Sequence, residues 1–248
     1  MNAQYIVKLA QTRQEHQSAQ ALRYQVFVAE LGGGGASADH ASRLDHDAFD
    51  DHCDQLILVN KTDDAVVGVY RLLRGDQAVK AGGFYSEGEY NLAKLTGAGR
   101  PLLELGRSCL HADHRGGTAL WHLWSALAAY VADHHIEILF GVASFRGTNA
   151  DALAAPLSLL HHRYLAPDAL RVRARDFTVM NRIDVSALDA PEAMRAVPPL
   201  IKSYLRLGGV VGEGAFVDHA FNTTDVCMIL DTAKMNPRQA RFYQRRTT

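Results

Sequence analysis

A strand that feeds a glycine turn and then a long amphipathic helix most restricts the fold of this chain. Pro101–His111 is an apolar run broken by Glu104 and Arg107. Arg115-Gly116-Gly117 follows, and from Gly117 to His135 the residues Leu120, Leu123, Trp124, Leu127 and Val131 recur on one helical face. A strand this apolar is buried on both faces, so it belongs inside a sheet that helices cover. Further strands are predicted at Gln55–Asn60, Val66–Leu73, Ile136–Ser144, Arg171–Ile183 and Val226–Leu230. Helices are predicted at Gln14–Leu31, where the four glycines 32–35 stop the pattern, at Asp151–Leu165, and at Pro199–Leu207 ahead of Gly208-Gly209. Ala36–Asp54 is polar and acidic and is expected to be a loop. The elements mix without strict alternation. The expected class is therefore α+β (mixed α/β), a central mixed sheet flanked by helices. One domain over residues 1–237 is expected, followed by a flexible basic tail at 238–248.

Composition removes several classes of function. The 248 residues carry 26 basic and 27 acidic side chains, a net charge of −1, which gives no bulk attraction to nucleic acid. No apolar run reaches the roughly 18–20 residues that span a bilayer. The N-terminus lacks a signal-peptide pattern, so a cytoplasmic location is expected. Three widely spaced cysteines make no disulfide framework. Twelve histidines include the pairs His134-His135 and His161-His162. None has zinc-site spacing, and no metal is expected.

Glu104 and Arg107 need a reason to sit in an apolar strand, because an unpaired buried charge is costly. Three residues apart, they point to opposite faces of a regular strand, and a bulge near Gly106 would bring them to one. They are either an ion pair with other strands or a carboxylate and an arginine facing a substrate cleft. The Arg115-Gly116-Gly117 turn exposes backbone N–H groups at the start of a helix, a combination that suits a phosphate. Walker and dinucleotide glycine patterns are absent. By composition alone the acids between Asp45 and Asp54 read as a solvated loop. Cys109, in an apolar context, reads as core rather than nucleophile.

The order Arg23-x-x-x-Phe27, Asp45-x-Asp47-x-Phe49-Asp50, Arg71, Phe84 and Glu104-x-x-Arg107 resembles the acyl-homoserine-lactone synthases, members of the acetyltransferase-like (GNAT) fold. The match to the bacterial ornithine-lipid N-acyltransferases is closer. It rests on Phe49–Asp54, Gly83–Glu87, Leu103–Cys109, Pro199–Gly208 and Phe221–Asp225, and it runs from about Arg23 to Leu230. Two departures point away from lactone synthesis: four glycines stand where the synthases carry an aromatic, and Asp45 stands where they carry Glu.

The resemblance implies transfer of a 3-hydroxyacyl chain from acyl carrier protein to the α-amine of L-ornithine, giving lyso-ornithine lipid. The alternatives are lactone synthesis, another amino acid as acceptor, or a module that binds acyl carrier protein or lipid without turnover. Glu104 is the expected base and Arg107 its catalytic neighbour. Arg23, Phe27, Asp45, Asp47, Asp50, Arg71 and Phe84 are expected around the substrate. The acids would take the side-chain ammonium. Arg23, Arg71 or Arg107 would take the carboxylate, or would order the acidic loop. Leu110, Ala112, Arg115, Gly116, Gly117 and Ala119 are expected to hold the phosphopantetheine of the donor. No cofactor is expected to be resident. The +3 charge of Arg163–Arg182 would steer the acidic carrier. The arginines and aromatics of the tail either give weak contact with the inner membrane or form a disordered tail with no partner.

Overall fold

The computed structural model describes residues 4–236, so the expected basic tail lies outside the described residues. The chain divides into two compact units. Among the described residues, one holds 4–83 together with Leu105–His135, and the other holds Phe84–Glu104 and 136–236.

In the first unit, Tyr5–Leu9 pairs antiparallel with Asp54–Asn60, which pairs antiparallel with Val66–Arg74; Leu102–Leu110 lies next in the sheet. Asp54–Asn60 and Val66–Arg74 are buried along nearly their whole length. This is why they read as continuous apolar runs rather than as alternation. The helices Arg13–Arg23 and Ala119–Asp133 pack on these strands. The approach is close at Gly68, where a Cβ would lie 2.7 Å from a Leu110 methyl and 3.0 Å from one of Leu123. Any side chain there would have to displace those two methyl groups.

In the second unit, Leu102–Glu104 pairs parallel with Ile138–Phe140, and Ile138–Arg146 pairs antiparallel with Thr223–Asp231 through nine residue pairs. Val210–Val211 and Phe216–Asp218 add to Thr223–Asp231. Parallel and antiparallel pairs in one sheet, with flanking helices, make this the mixed α/β class expected. Among the described residues no helix is long and apolar enough to cross a membrane.

Three expectations require correction. Gln14–Leu31 is not one α-helix: Arg13–Arg23 is α-helical and Tyr24–Glu30 is a π-helix. The apolar positions Ala19, Leu22, Val26 and Phe27 satisfy either winding, so periodicity does not separate them. Ala36–Asp54 is not a plain loop. It contains the two-stranded pair Ala38–Asp39 with Leu44–Asp45 and the 3-10 turn Asp50–His52, and Asp45 and Asp50 are buried. Arg171–Ile183 is not a strand either. Only Arg173–Ala174 forms a strand, paired with Tyr90–Asn91, and single bridges join Arg173 to Glu213 and Thr178 to Ala215, because alternate burial of Val172 and Ala174 ends after one repeat. Its arginines serve backbone carbonyls instead: Arg171 donates to Ala166 O and Arg182 to Val179 O nearby in sequence, and Arg175 to the distant Glu87 O. Arg173 and Arg182 also pair with Glu213 and Asp151. The strand Tyr5–Leu9 and the helix Gly75–Ala81 carry too weak a pattern to have been read.

Candidate active site

The first unit contains a closed set of three arginines and three aspartates. Arg23, on the last turn of its helix, sends Nε to Asp45 Oδ2 at 2.8 Å and NH2 to the Asp45 carbonyl at 2.5 Å. Its two terminal nitrogens also take both oxygens of Asp50, at 2.5 and 3.0 Å. Arg71, on the strand Val66–Arg74, reaches Asp47 Oδ1 at 2.6 Å and Asp50 Oδ2 at 3.3 Å. Arg107 closes the set on Asp45 and Asp47 at 3.2 and 3.3 Å. Ser37 Oγ donates to Asp45, and Gln55 Nε2 donates to Asp50. Neither residue carried a sequence signal beyond its polarity.

Burial would push the Asp50 carboxyl up. The Arg23 hydrogen bond and charge, with the Arg71 charge, outweigh burial and bring it down to about 2. Burial likewise opposes the ionised form of Asp45, and Arg107 and Arg23 hold it below the usual carboxylate range. Burial disfavours the Arg23 cation, but Asp50 and Asp45 raise its pKa above the ordinary value. Arg23, Asp45 and Asp50 are therefore held in their ionised forms across neutral pH. Exposure grades the set: the side chains of Arg23 and Asp45 are 0% exposed, Arg107 10% and Asp47 18%. For Asp45 and Asp50 the composition-based reading as solvated acids is overturned by this burial, whereas Asp51 is exposed as expected.

Arg107 adopts φ +49°, which costs a non-glycine residue energy. The strand Leu102–Leu110 runs through this residue, next to the Gly106 position where a bulge is expected. Phe27 is half-buried against the core formed by Ala19, Leu22, Val26, Ile57, Val59, Val69 and Cys109. Cys109 is buried, and burial pushes its thiol up to about 12, so it is no thiolate at neutral pH.

The turn after Leu110 also belongs to this unit. Gly116 has φ +78°, and a Cβ at Gly116 or Gly117 would meet nothing within 4 Å. Ala112 starts a short 3-10 turn, and Ala119 begins the helix Ala119–Asp133. Thr118, the residue before that helix, makes no side-chain cap, so the first-turn amides are not taken by it. Arg115 donates through Nε to the Leu110 carbonyl at 3.0 Å.

In the second unit, Glu104 is 3% exposed, and its two oxygens accept the N–H groups of Tyr85 at 2.8 Å and Ser86 at 2.6 Å. Two backbone bonds fix the plane of the carboxylate. Phe84 is buried edge-on against Phe140, with ring centroids 5.0 Å apart. Glu89, Asp218 and Asp225 bring carboxylate oxygens within 4.8 Å of one another, the one grouping with metal-ligand spacing among the described residues.

The acetyltransferase (GNAT) domain family matches residues 22–125. The L-ornithine N(alpha)-acyltransferase of Rhodobacter capsulatus is 55% identical over 98% of this chain and 95% of its own length. Its counterpart in Brucella abortus is 40% identical over 96% and 88%. Among solved structures, FeeM, an N-acyl amino acid synthase from uncultured soil microbes, is similar with TM-score 0.53 at 12% identity, covering 93% of this chain and 92% of that one. BjaI, a CoA-dependent acyl-homoserine lactone synthase, is similar with TM-score 0.52 at 14% identity, covering 93% and 80%. These two likenesses establish the acetyltransferase-like fold, and the curated relatives establish more: this chain belongs to the family of the L-ornithine N(alpha)-acyltransferases.

Proposed function

We propose that this protein transfers a 3-hydroxyacyl chain from the phosphopantetheine of acyl carrier protein to the α-amine of L-ornithine, the step that makes lyso-ornithine lipid. The observation that carries the reading is 55% identity with an L-ornithine N(alpha)-acyltransferase across nearly the whole of both chains.

The acceptor amine is an ammonium at neutral pH and must lose a proton before it attacks the thioester carbonyl. Glu104 is the base of this proposal, its carboxylate oriented by the N–H groups of Tyr85 and Ser86. Amine nitrogen bonds to the carbonyl carbon, the tetrahedral oxyanion collapses, and the C–S bond breaks to release the carrier thiol. No enzyme-bound acyl group forms, in keeping with an inert Cys109. Backbone N–H groups beside the left-handed Arg107 would hold the oxyanion, since a residue in that conformation interrupts ladder pairing.

Ornithine brings two ammonium groups and one carboxylate. In the ion network only the more exposed members are open to a solute, so Arg107 would take the carboxylate and Asp47 an ammonium. Arg23, Asp45, Asp50 and Arg71 would hold those two in place. Phe27 and Phe84 would each offer apolar surface to the acyl chain. The donor phosphate would sit at Leu110–Ala119, with Arg115 as its cation and the Gly116, Gly117 and Ala119 backbone at close range. A cytoplasmic location and a salt-sensitive hold on the inner membrane belong to the same proposal.

The test is direct. Purified protein, 3-hydroxyacyl-acyl carrier protein and L-ornithine should release free thiol and yield N-α-acylornithine by mass spectrometry. Thiol release that does not depend on ornithine, or that lysine supports equally well, would remove the acceptor assignment.

A further inference from the structure

Apart from the surface of Phe27, the π-helix Tyr24–Glu30 has no role in the chemistry above, yet a whole element wound this way is rare and often functional. Its signature bond is Leu31 N–H to Val26 O, 3.1 Å, five residues back. In an α-helix, residues 25 and 30 would stand about 140° apart around the axis. With bonding five residues back, they stack on one side instead. Both meet the same turn. Gln25 Nε2 lies 3.0 Å from His111 Nε2. Glu30 grips Arg115 with two oxygens on two nitrogens, Oε1 to NH1 at 2.5 Å and Oε2 to NH2 at 2.7 Å. Arg115 is held from its other side by the Leu110 carbonyl. The forked face that would engage two phosphate oxygens is therefore filled by a carboxylate of matching geometry. Both side chains stay well exposed, at 41% and 37%, so the pair is weakly held and open to exchange.

We infer that Glu30 is an internal competitor for the donor anion: it occupies the Arg115 fork that the donor phosphate requires, and it thereby sets donor affinity. The inference rests on the assignment of Arg115 to that phosphate. The donor exchanges one anion for another at the guanidinium, and Glu30 swings into water. The π-winding delivers Glu30 to the turn, so the device is written into the backbone of the preceding helix.

Steady-state kinetics with 3-hydroxyacyl-acyl carrier protein varied at saturating ornithine test this, with thermal melts checking that each variant is folded. Glu30→Gln should lower the donor KM by about 2- to 5-fold, the worth of an exposed ion pair. Arg115→Ala should raise it, and Glu30→Gln added to Arg115→Ala should change nothing further. A donor KM that stays level or rises in Glu30→Gln, while Arg115→Ala still raises it, overturns the competition alone. A donor KM unmoved by Arg115→Ala overturns the phosphate assignment and the competition with it. If Glu30→Gln lowers KM equally with and without Arg115, the effect is long-range charge, and the shared seat is overturned.

Discussion

Arg23 and Asp50 meet fork to fork inside the protein, NH1 to Oδ1 at 2.5 Å and NH2 to Oδ2 at 3.0 Å, with the arginine side chain wholly shielded from water. Removing one partner of such a pair leaves the other charged and dry. Asp50→Asn should therefore cost about 3–5 kcal/mol of unfolding free energy, more than any benefit of removing a single hydrogen bond's geometry. Urea unfolding measures it, and a loss under about 1 kcal/mol would mean that water reaches Arg23.

The same pair sets an acid limit. Asp50 titrates at about 2 in the folded protein against an ordinary 3.8. A depressed folded pKa gives stability that is complete above pH 4 and lost as pH falls toward 2, on the order of 2 kcal/mol in all. The stability gap between wild type and Asp50→Asn should shrink across that window. A gap constant from pH 5 to pH 2 would assign the acid lability elsewhere.

Glu104→Gln should reduce turnover by roughly 10²–10⁴ and remove the acidic limb of the pH–rate profile. Because an amide cannot accept from both Tyr85 and Ser86 with equal ease, a melting curve must accompany the rates. Folded protein with near-wild-type turnover and an unchanged profile would eliminate the base.

Arg107→Lys keeps the charge and loses the fork. The ornithine KM should rise about tenfold while the donor KM moves little. A matched rise in both would place Arg107 in the scaffold with Arg23.

Cys109→Ala should keep turnover within about threefold of wild type, because a buried thiol with pKa about 12 supplies no nucleophile. Loss of the enzyme to a thiol-alkylating reagent, with protection by the acyl donor, would contradict this.

The fold was legible where the signal is local. Leu102–Leu110 and Ala119–Asp133 stand within a few residues of their expected bounds because a short apolar run and a 3.6-residue repeat are properties of neighbours in sequence. The ion network was legible only as a set of positions. What binds Asp45 comes from 22 residues before it and 62 after it. No local pattern carries that pairing, so Asp45 and Asp50 looked as wet as their exposed neighbour Asp51 although they are buried. The same limit explains Arg171–Ile183: its alternation is local and real for Val172 and Ala174, but a strand needs a partner of equal length, and Tyr90–Asn91 supplies two residues. The π-helix escaped for another reason. Winding changes which residues stack without changing which are apolar.

A ring in which three positive and three negative groups hold one another also governs how such a chain drifts over generations. Each aspartate is shared between two guanidiniums, so the length of a single side chain is a ruler for two others. At position 45 one added methylene would push a carboxylate into Arg23, Arg107 and Ser37 together. A glutamate there, as in the lactone synthases this sequence resembles, demands a different arrangement of all three. Replacement one residue at a time passes through a broken ring, and the six positions are therefore expected to change together or stay as they are.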